Sequence, residues 1–254
     1  MTMPTLVLVR HGQSTTNAAG QFTGWADVPL TGAGEHEARR VGELLREQAP
    51  HLHVVHTSVL CRATRTAEIV LDVVGRSWLP VARSWRLNER HYGALTGRSK
   101  AEVRAEVGDA QFLQWRRGFR QRPPPMAAEP ADTLRGDPRY AALPARVIPD
   151  SESLADVLAR VLPYWVDVLS ADLLAGRVPL VVAHGNSLRA LIMHLDQMSE
   201  DEVVELNIPT GIPLCYELDD ALRPRHRGGH YLDPTAAAQA AAAVAEEGQR
   251  PARS

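Results

Sequence analysis

The chain has 254 residues, 44% of them hydrophobic, with 28 basic against 30 acidic side chains and a formal charge of −2. That length suits one large α/β domain, and the near balance of charge excludes a whole-protein field for nucleic acid or an anionic membrane, so cations for an anionic ligand have to be local. Cys61 and Cys215 match neither a metal-ligand spacing nor a disulfide framework, and the absence of a leader or a long apolar span makes a cytoplasmic, membrane-free location the expectation.

The first apolar run, Leu6 to Val9, leads into Arg10-His11-Gly12. Further strand-like runs are expected at Leu52 to His56, Leu180 to Ala183 and Pro213 to Leu218. Their continuous apolar character predicts strands covered on both faces, hence a three-layer α/β/α sandwich with a mostly parallel sheet. Over 35–49, Ala38, Val41, Leu44, Leu45 and Ala49 fall on one helical stripe while Glu43, Arg46 and Glu47 fall outside it.

Ser58 is the expected N-cap of the next helix, which buries Ala63, Ala67, Val70, Leu71 and Val74. Arg62 then sits in the first turn, where a cation opposes the helix macrodipole unless an anion is also bound there. The Cys61 thiol beside it reads as a structural group. Asn88-Glu89-Arg90-His91-Tyr92-Gly93 follows a short strand-like run and sets a carboxyl group among cations.

Residues 122–150 are dense in proline and show no sustained period. With the short helices before them they form an expected insertion, at about 99–150, over the ligand edge of the sheet. Ser153 and Asp156 form a capping-box pattern at the head of a stripe running from Leu154 to Leu169, which Pro163 is expected to kink. A single domain over 1–233 and an alanine-rich, frayed tail over 234–254 complete the predicted organisation; a lid over the site is the sharper reading of the tail.

The strand ending at Ala183 delivers His184-Gly185-Asn186, repeating the strand, histidine, glycine order of the N-terminus. Carboxyl ends of parallel strands line the ligand crevice, so His11 and His184 are expected at one site. A neutral imidazole attacks phosphorus near neutral pH, which fits His11 as a covalent nucleophile. Arg10, Arg62 and Asn17 are placed to hold phosphoryl oxygens, a protonated His184 to donate to the transferring group with Gly185 and Asn186 beside it, and Glu89 to exchange a proton with a substrate hydroxyl. Gly12 is expected to let the backbone approach the ligand. Lys100, Arg116 and Arg117 add cations. No Walker A loop, His-Glu-x-x-His helix or acidic metal cluster occurs, so the chemistry is expected to run without metal.

These residues resemble the histidine phosphatase superfamily and, within it, the 2,3-bisphosphoglycerate-dependent phosphoglycerate mutases. The resemblance rests on Arg10-His11-Gly12-Gln13-Ser14 with Asn17, on Phe22-Thr23-Gly24-Trp25, and on Arg62 to Ala67. It continues through Glu89 to Leu95, Trp115-Arg116-Arg117, His184 to Arg189 and Asn207 to Pro213, in family order along nearly the whole chain. It implies that His11 carries the phosphoryl group, that Glu89 exchanges protons with the substrate, and that His184 stabilises the transition state. It further implies ligand contacts from Arg10, Gly12, Gln13, Ser14, Thr15, Thr16, Asn17, Thr23, Gly24, Arg62, Arg90, His91, Tyr92, Lys100, Arg116, Arg117, Gly185 and Asn186. The implied reaction interconverts 3-phosphoglycerate and 2-phosphoglycerate in glycolysis and gluconeogenesis, primed by 2,3-bisphosphoglycerate, in a homodimer or homotetramer. Cys61, where lysine is common, and Thr96, Arg98 and Ser99 depart from the family pattern. A phosphomonoesterase of the same superfamily is the alternative, and a non-catalytic phospholigand-binding protein a weaker one.

Overall fold

In the computed structural model, which describes residues 3–48 and 51–246, alternation along two central strands decides the layering. The strand β1 (Thr5–Arg10) turns Leu6 and Leu8 to one face and Val7 and Val9 to the other, all buried. Its neighbour near the other end of the chain does the same: Val181 and Ala183 join the first face, Leu180 and Val182 the second. Each such side chain, fully removed from water, contributes on the order of 1.5–3 kcal/mol before entropy is counted. Both faces therefore demand helices.

After the single turn α1 (Thr15–Ala18), the helix α2 (Gly32–Gln48) covers the second face with Ala38, Val41 and Leu45 buried and Glu43, Arg46 and Glu47 exposed. Leu44 is half-buried, and Ala49 lies outside the described residues. β2 (Val54–Thr57) follows, then α3 (Cys61–Val74), which packs Ala67, Val70 and Leu71 on the same face, with Val74 at its margin. The N-cap of α3 is Leu60 rather than Ser58. Ser58 Oγ accepts the Leu60 N–H at 3.2 Å, one turn too early to cap the helix. The anion at this helix end is the chain's own Asp27, whose Oδ1 accepts the Cys61 N–H at 2.7 Å.

β3 (Val81–Arg83) supplies the edge strand before the glutamate loop. The helix α4 (Lys100–Arg117) is broken at Gly108, where φ +78° and ψ 164° are open only to glycine. The proline-rich stretch after it holds α5 (Ala128–Arg135), an element its composition hid, and then two short 3₁₀ turns. α6 (Leu154–Tyr164) begins at the expected capping box of Ser153 and Asp156. Pro163 does not break the rod. A π-helical turn over Trp165–Leu169 carries the chain on into α7 (Ser170–Leu174).

β4 (Pro179–Ala183) leads to α8 (Gly185–Leu195), and α6 and α8 together cover the first face of the sheet. α9 (Glu200–Glu205), β5 (Leu214–Glu217), β6 (His230–Tyr231) and α10 (Pro234–Glu246) complete the described elements. Strand order is β3-β2-β4-β1-β5-β6. The first four are parallel, β5 is antiparallel to β1 and β6 antiparallel to β5, giving a mostly parallel sheet between two helical layers. The described part of the tail is helical to Glu246, with Asp233 Oδ1 accepting the Ala236 N–H and Ala237 buried. Asp233 also pairs with Arg40 of α2, and none of the residues of α10 whose side chains are described lines the cleft described below. Glu247 and the final residues to Ser254 lie outside the described residues.

Candidate active site

Arg10 at the end of β1 is in register with Ala183 at the end of β4, and the His11 N–H donates to the Ala183 carbonyl at 3.0 Å. The next residue on each strand is a histidine, and the two rings stand 4.8 Å apart at 63°. Both histidines are buried. His11 Nδ1 lies 2.7 Å from the Gly12 carbonyl, and Arg62 Nε donates to His11 Nε2 at 3.3 Å. A single tautomer satisfies both bonds: the proton sits on Nδ1 and the lone pair on Nε2 faces the cleft. Burial, then the charges of Arg62 and Arg10, hold His11 well below the usual histidine range, so it is neutral at pH 7.

Arg62 is locked by the carbonyls of Ala26 and Gly24, each at 2.9 Å, and burial lowers it to about 10, still cationic. Gly24 takes φ +57° to present its carbonyl here. His184 Nε2 lies 2.7 Å from Ser58 Oγ, while its buried Nδ1 has no partner. Burial, Arg62 and His11 lower His184 as well. Burial among these cations favours the neutral ring, where the sequence reading expected an imidazolium.

Glu89 reaches the same place from the loop after β3. Its Oε1 accepts three N–H groups: Arg90 N at 2.7 Å, Asn186 N at 3.1 Å and Asn186 Nδ2 at 2.9 Å. Its carbonyl is held by Trp25 Nε1 at 2.6 Å and by Arg160, itself clamped on Glu152. With Oε1 filled, Oε2 is the oxygen open to proton traffic, and it lies with Arg10 Nε against Gly185.

A cleft opens over these groups. Of the residues singled out in the sequence, Arg10, His11, Asn17, Thr23, Arg62 and Glu89 line it, and so do Tyr92, Lys100, Arg116, Arg117, Gly185 and Asn186. Asn17 Oδ1 accepts from Ser14 N and Oγ, which leaves its Nδ2 for a ligand. The remaining candidates stand behind the wall. Gln13 accepts from Thr31 through Oε1, Ser14 caps α1, and Thr15 is exposed. Thr16 buttresses Thr23 at 2.6 Å between hydroxyls. Gly12 is required for a different reason than ligand approach: a Cβ there would meet the Gly34 carbonyl of α2 at 2.2 Å. Arg90 is spent on the Arg116 and Gly118 carbonyls and stacks 4.7 Å over Tyr92. His91 accepts from Gly93 through Nδ1, and burial lowers it to about 4.

Gln21, Phe22, Arg189, Leu206 and Ile208 also line the cleft and were not among the candidates. Arg189 was within reach of helical spacing, since it follows Asn186 by three positions on one helix. Leu206 and Ile208 carried no such signal; their carbonyls accept from Arg117 at 3.0 Å and Arg10 at 2.9 Å, contacts that exist only in the fold. The Cys61 thiol donates to the Val28 carbonyl, and burial raises it to about 11, an unreactive group. Among the described residues, no group of three or more His, Cys, Asp and Glu side chains gathers to hold a metal, and no helix is long and apolar enough to cross a membrane.

Comparison with known proteins gives the same grouping. Residues 6–220 match the family model of the histidine phosphatase superfamily, branch 1. The 2,3-bisphosphoglycerate-dependent phosphoglycerate mutase of Thermobifida fusca is 57% identical over 247 residues, covering 97% of this chain and all of that protein. The enzyme of the same name from Mycobacterium tuberculosis is 57% identical over 244 residues, covering 96% and 97%. In fold, a mycobacterial glucosyl-3-phosphoglycerate phosphatase in complex with VO3 superposes with a TM-score of 0.68 at 24% identity, covering 87% of this chain and 96% of that one. By the family match and by relatives of this identity over nearly its whole length, the chain belongs to the histidine phosphatase superfamily, in the same family as these mutases.

Proposed function

We propose that the chain is a 2,3-bisphosphoglycerate-dependent phosphoglycerate mutase that interconverts 3-phosphoglycerate and 2-phosphoglycerate through phosphorylated His11. The observation that carries this reading is the charge of the cleft: Arg10, Arg62, Lys100, Arg116, Arg117 and Arg189 surround a single carboxylate, Glu89. Two phosphates and a carboxylate carry roughly −4 to −5 at neutral pH, which this cation set matches and a simple monophosphate does not need. Buried Arg10 Nε also lacks a partner, as a donor awaiting an anion does.

2,3-Bisphosphoglycerate supplies the phosphoryl group that primes His11. His11 Nε2 attacks with its lone pair while Nδ1–H stays on the Gly12 carbonyl, which keeps the ring aligned. Arg62 moves its Nε–H from His11 to the arriving phosphoryl oxygens, a shift of one hydrogen bond without loss of its carbonyl anchors. The incoming dianion opposes the field of Arg62 and Arg10, so His184 gains a proton as the cleft fills and donates it as a hydrogen bond to the transferring group.

In the isomerisation the P–Nε2 bond breaks as the free hydroxyl of 3-phosphoglycerate bonds to phosphorus, and Glu89 Oε2 takes the hydroxyl proton. The bisphosphorylated product turns, its other phosphoryl group returns to His11, and Glu89 gives the proton back to the released oxygen. The far cations hold the second phosphate and carboxylate meanwhile. Trapping tests the first half: the protein treated with 2,3-bisphosphoglycerate labelled in phosphate should carry acid-labile label on His11 and pass it to 3-phosphoglycerate. Label that stays on the protein or leaves only as inorganic phosphate contradicts the mutase reading.

A further inference from the structure

Arg189 is a buried guanidinium with no carboxylate partner. It stands on α8 one turn beyond Gly185 and Asn186, buried among cations. All its partners are neutral: Asn186 Oδ1 at 2.8 Å, the Arg117 carbonyl at 3.1 Å and the Val203 carbonyl at 2.6 Å. The first bond decides how the Asn186 amide faces. With Oδ1 taken by Arg189, Nδ2 points at Glu89 Oε1 and at the Tyr92 hydroxyl 3.1 Å away; the reversed amide would set oxygen against carboxylate. The other two bonds clasp the end of α4 to the end of α9. Arg117 closes the clasp from the opposite side by donating to the Val204 and Leu206 carbonyls. Arg116 and Arg117, on the far wall of the cleft, are held in place by this pair of exchanges.

We propose that Arg189 is a positioning residue for isomerisation: it sets the Asn186 amide on Glu89 and fixes the Arg116–Arg117 wall, so the second phosphate stays held while the bound ligand turns. The inference rests on the mutase reading and deepens it. The contacts that align His11 Nε2, from the Gly12 carbonyl and Arg62 Nε, are not among the Arg189 bonds. Without the clasp, ligand escapes and water takes its place. An oxygen of water then bonds phosphorus as the P–Nε2 bond breaks, its proton passes to Glu89 Oε2, and inorganic phosphate leaves a free imidazole.

The test is the ratio of 2-phosphoglycerate to inorganic phosphate formed from 3-phosphoglycerate with a trace of 2,3-bisphosphoglycerate, in wild type, Arg189→Met and Arg189→Lys. A purely structural loss scales both products together and leaves the ratio unmoved. Loss of two or three bonds from a charged donor predicts a ratio about 10- to 100-fold lower in Arg189→Met. Arg189→Lys keeps the charge but not the fork, and is expected between the two. It also carries the test should the methionine variant fail to fold. A wild-type ratio in the folded variants overturns the role of Arg189, whereas phosphate without isomer from the wild-type protein overturns the mutase reading itself.

Discussion

Arg62 Nε donates to His11 Nε2, the nitrogen whose lone pair the proposed chemistry requires, at 3.3 Å. The guanidinium adds its charge to burial in keeping the ring deprotonated, and its Nε–H lies where the proposed chemistry needs a donor for phosphoryl oxygens. Arg62→Gln removes the charge while keeping a donor. The His11 pKa should rise toward the ordinary histidine value in an NMR titration, and loading of His11 should slow about 10- to 100-fold for the loss of charged hydrogen bonds. An unmoved His11 titration would show that burial alone sets its protonation.

Glu89→Gln retains the size of the side chain and removes the proton acceptor at Oε2. Turnover should fall about 10²- to 10⁴-fold, the usual range for general acid–base groups. Binding of 3-phosphoglycerate, measured by calorimetry, should change far less, because the arginines supply the charge. Unchanged turnover would take proton transfer away from Glu89.

Stability should fall as the solution is acidified. His91, lowered to about 4 by burial, is neutral in the folded chain but takes up a proton near 6.5 once unfolded. Between these values the unfolded state binds more protons, so stability is full above about 6.5 and is lost as pH falls toward 4. At about 1.4 kcal/mol per pH unit, His91 accounts for about 3 kcal/mol across that window. His11, His184 and His56, lowered in the same direction, steepen it. His91→Asn keeps an acceptor for the Gly93 N–H without titrating, and urea unfolding at pH 7 and pH 4.5 should show a flatter dependence in that variant. Equal slopes would place the acid sensitivity elsewhere.

The Cys61 thiol should alkylate slowly. Raised to about 11, it presents about 100-fold less thiolate at pH 8 than an ordinary cysteine. Iodoacetamide should modify it correspondingly more slowly than a model thiol, and Cys61→Ala should leave turnover within about twofold, as expected of a substitution away from the chemistry. Rapid alkylation with loss of activity would mark the thiol as part of the site.

The two histidines were legible because their signal is local: an apolar strand, a histidine and a glycine, twice, and parallel strands align their ends by register. The covered sheet was legible for the same reason, since period-2 runs apolar on both faces have one packing solution. Contacts from carbonyls were not. Leu206 and Ile208 enter the cleft wall through backbone oxygens that any residue type supplies, and Asp27 caps α3 from 34 positions away. Ser58 was misplaced because a serine before a helix reads as an N-cap whether its hydroxyl serves the helix or, as here, His184. The π-turn that follows Pro163 had no signal in the sequence. β6, two residues long, is defined by pairing with β5 and not by any pattern of its own.

A phosphorus NMR time course with 3-phosphoglycerate, a trace of 2,3-bisphosphoglycerate and excess EDTA tests the central claim most directly. Conversion to 2-phosphoglycerate that depends on the primer, persists in chelator and vanishes in His11→Ala is the predicted result. Inorganic phosphate without 2-phosphoglycerate, or isomerisation that survives the loss of His11, would contradict it.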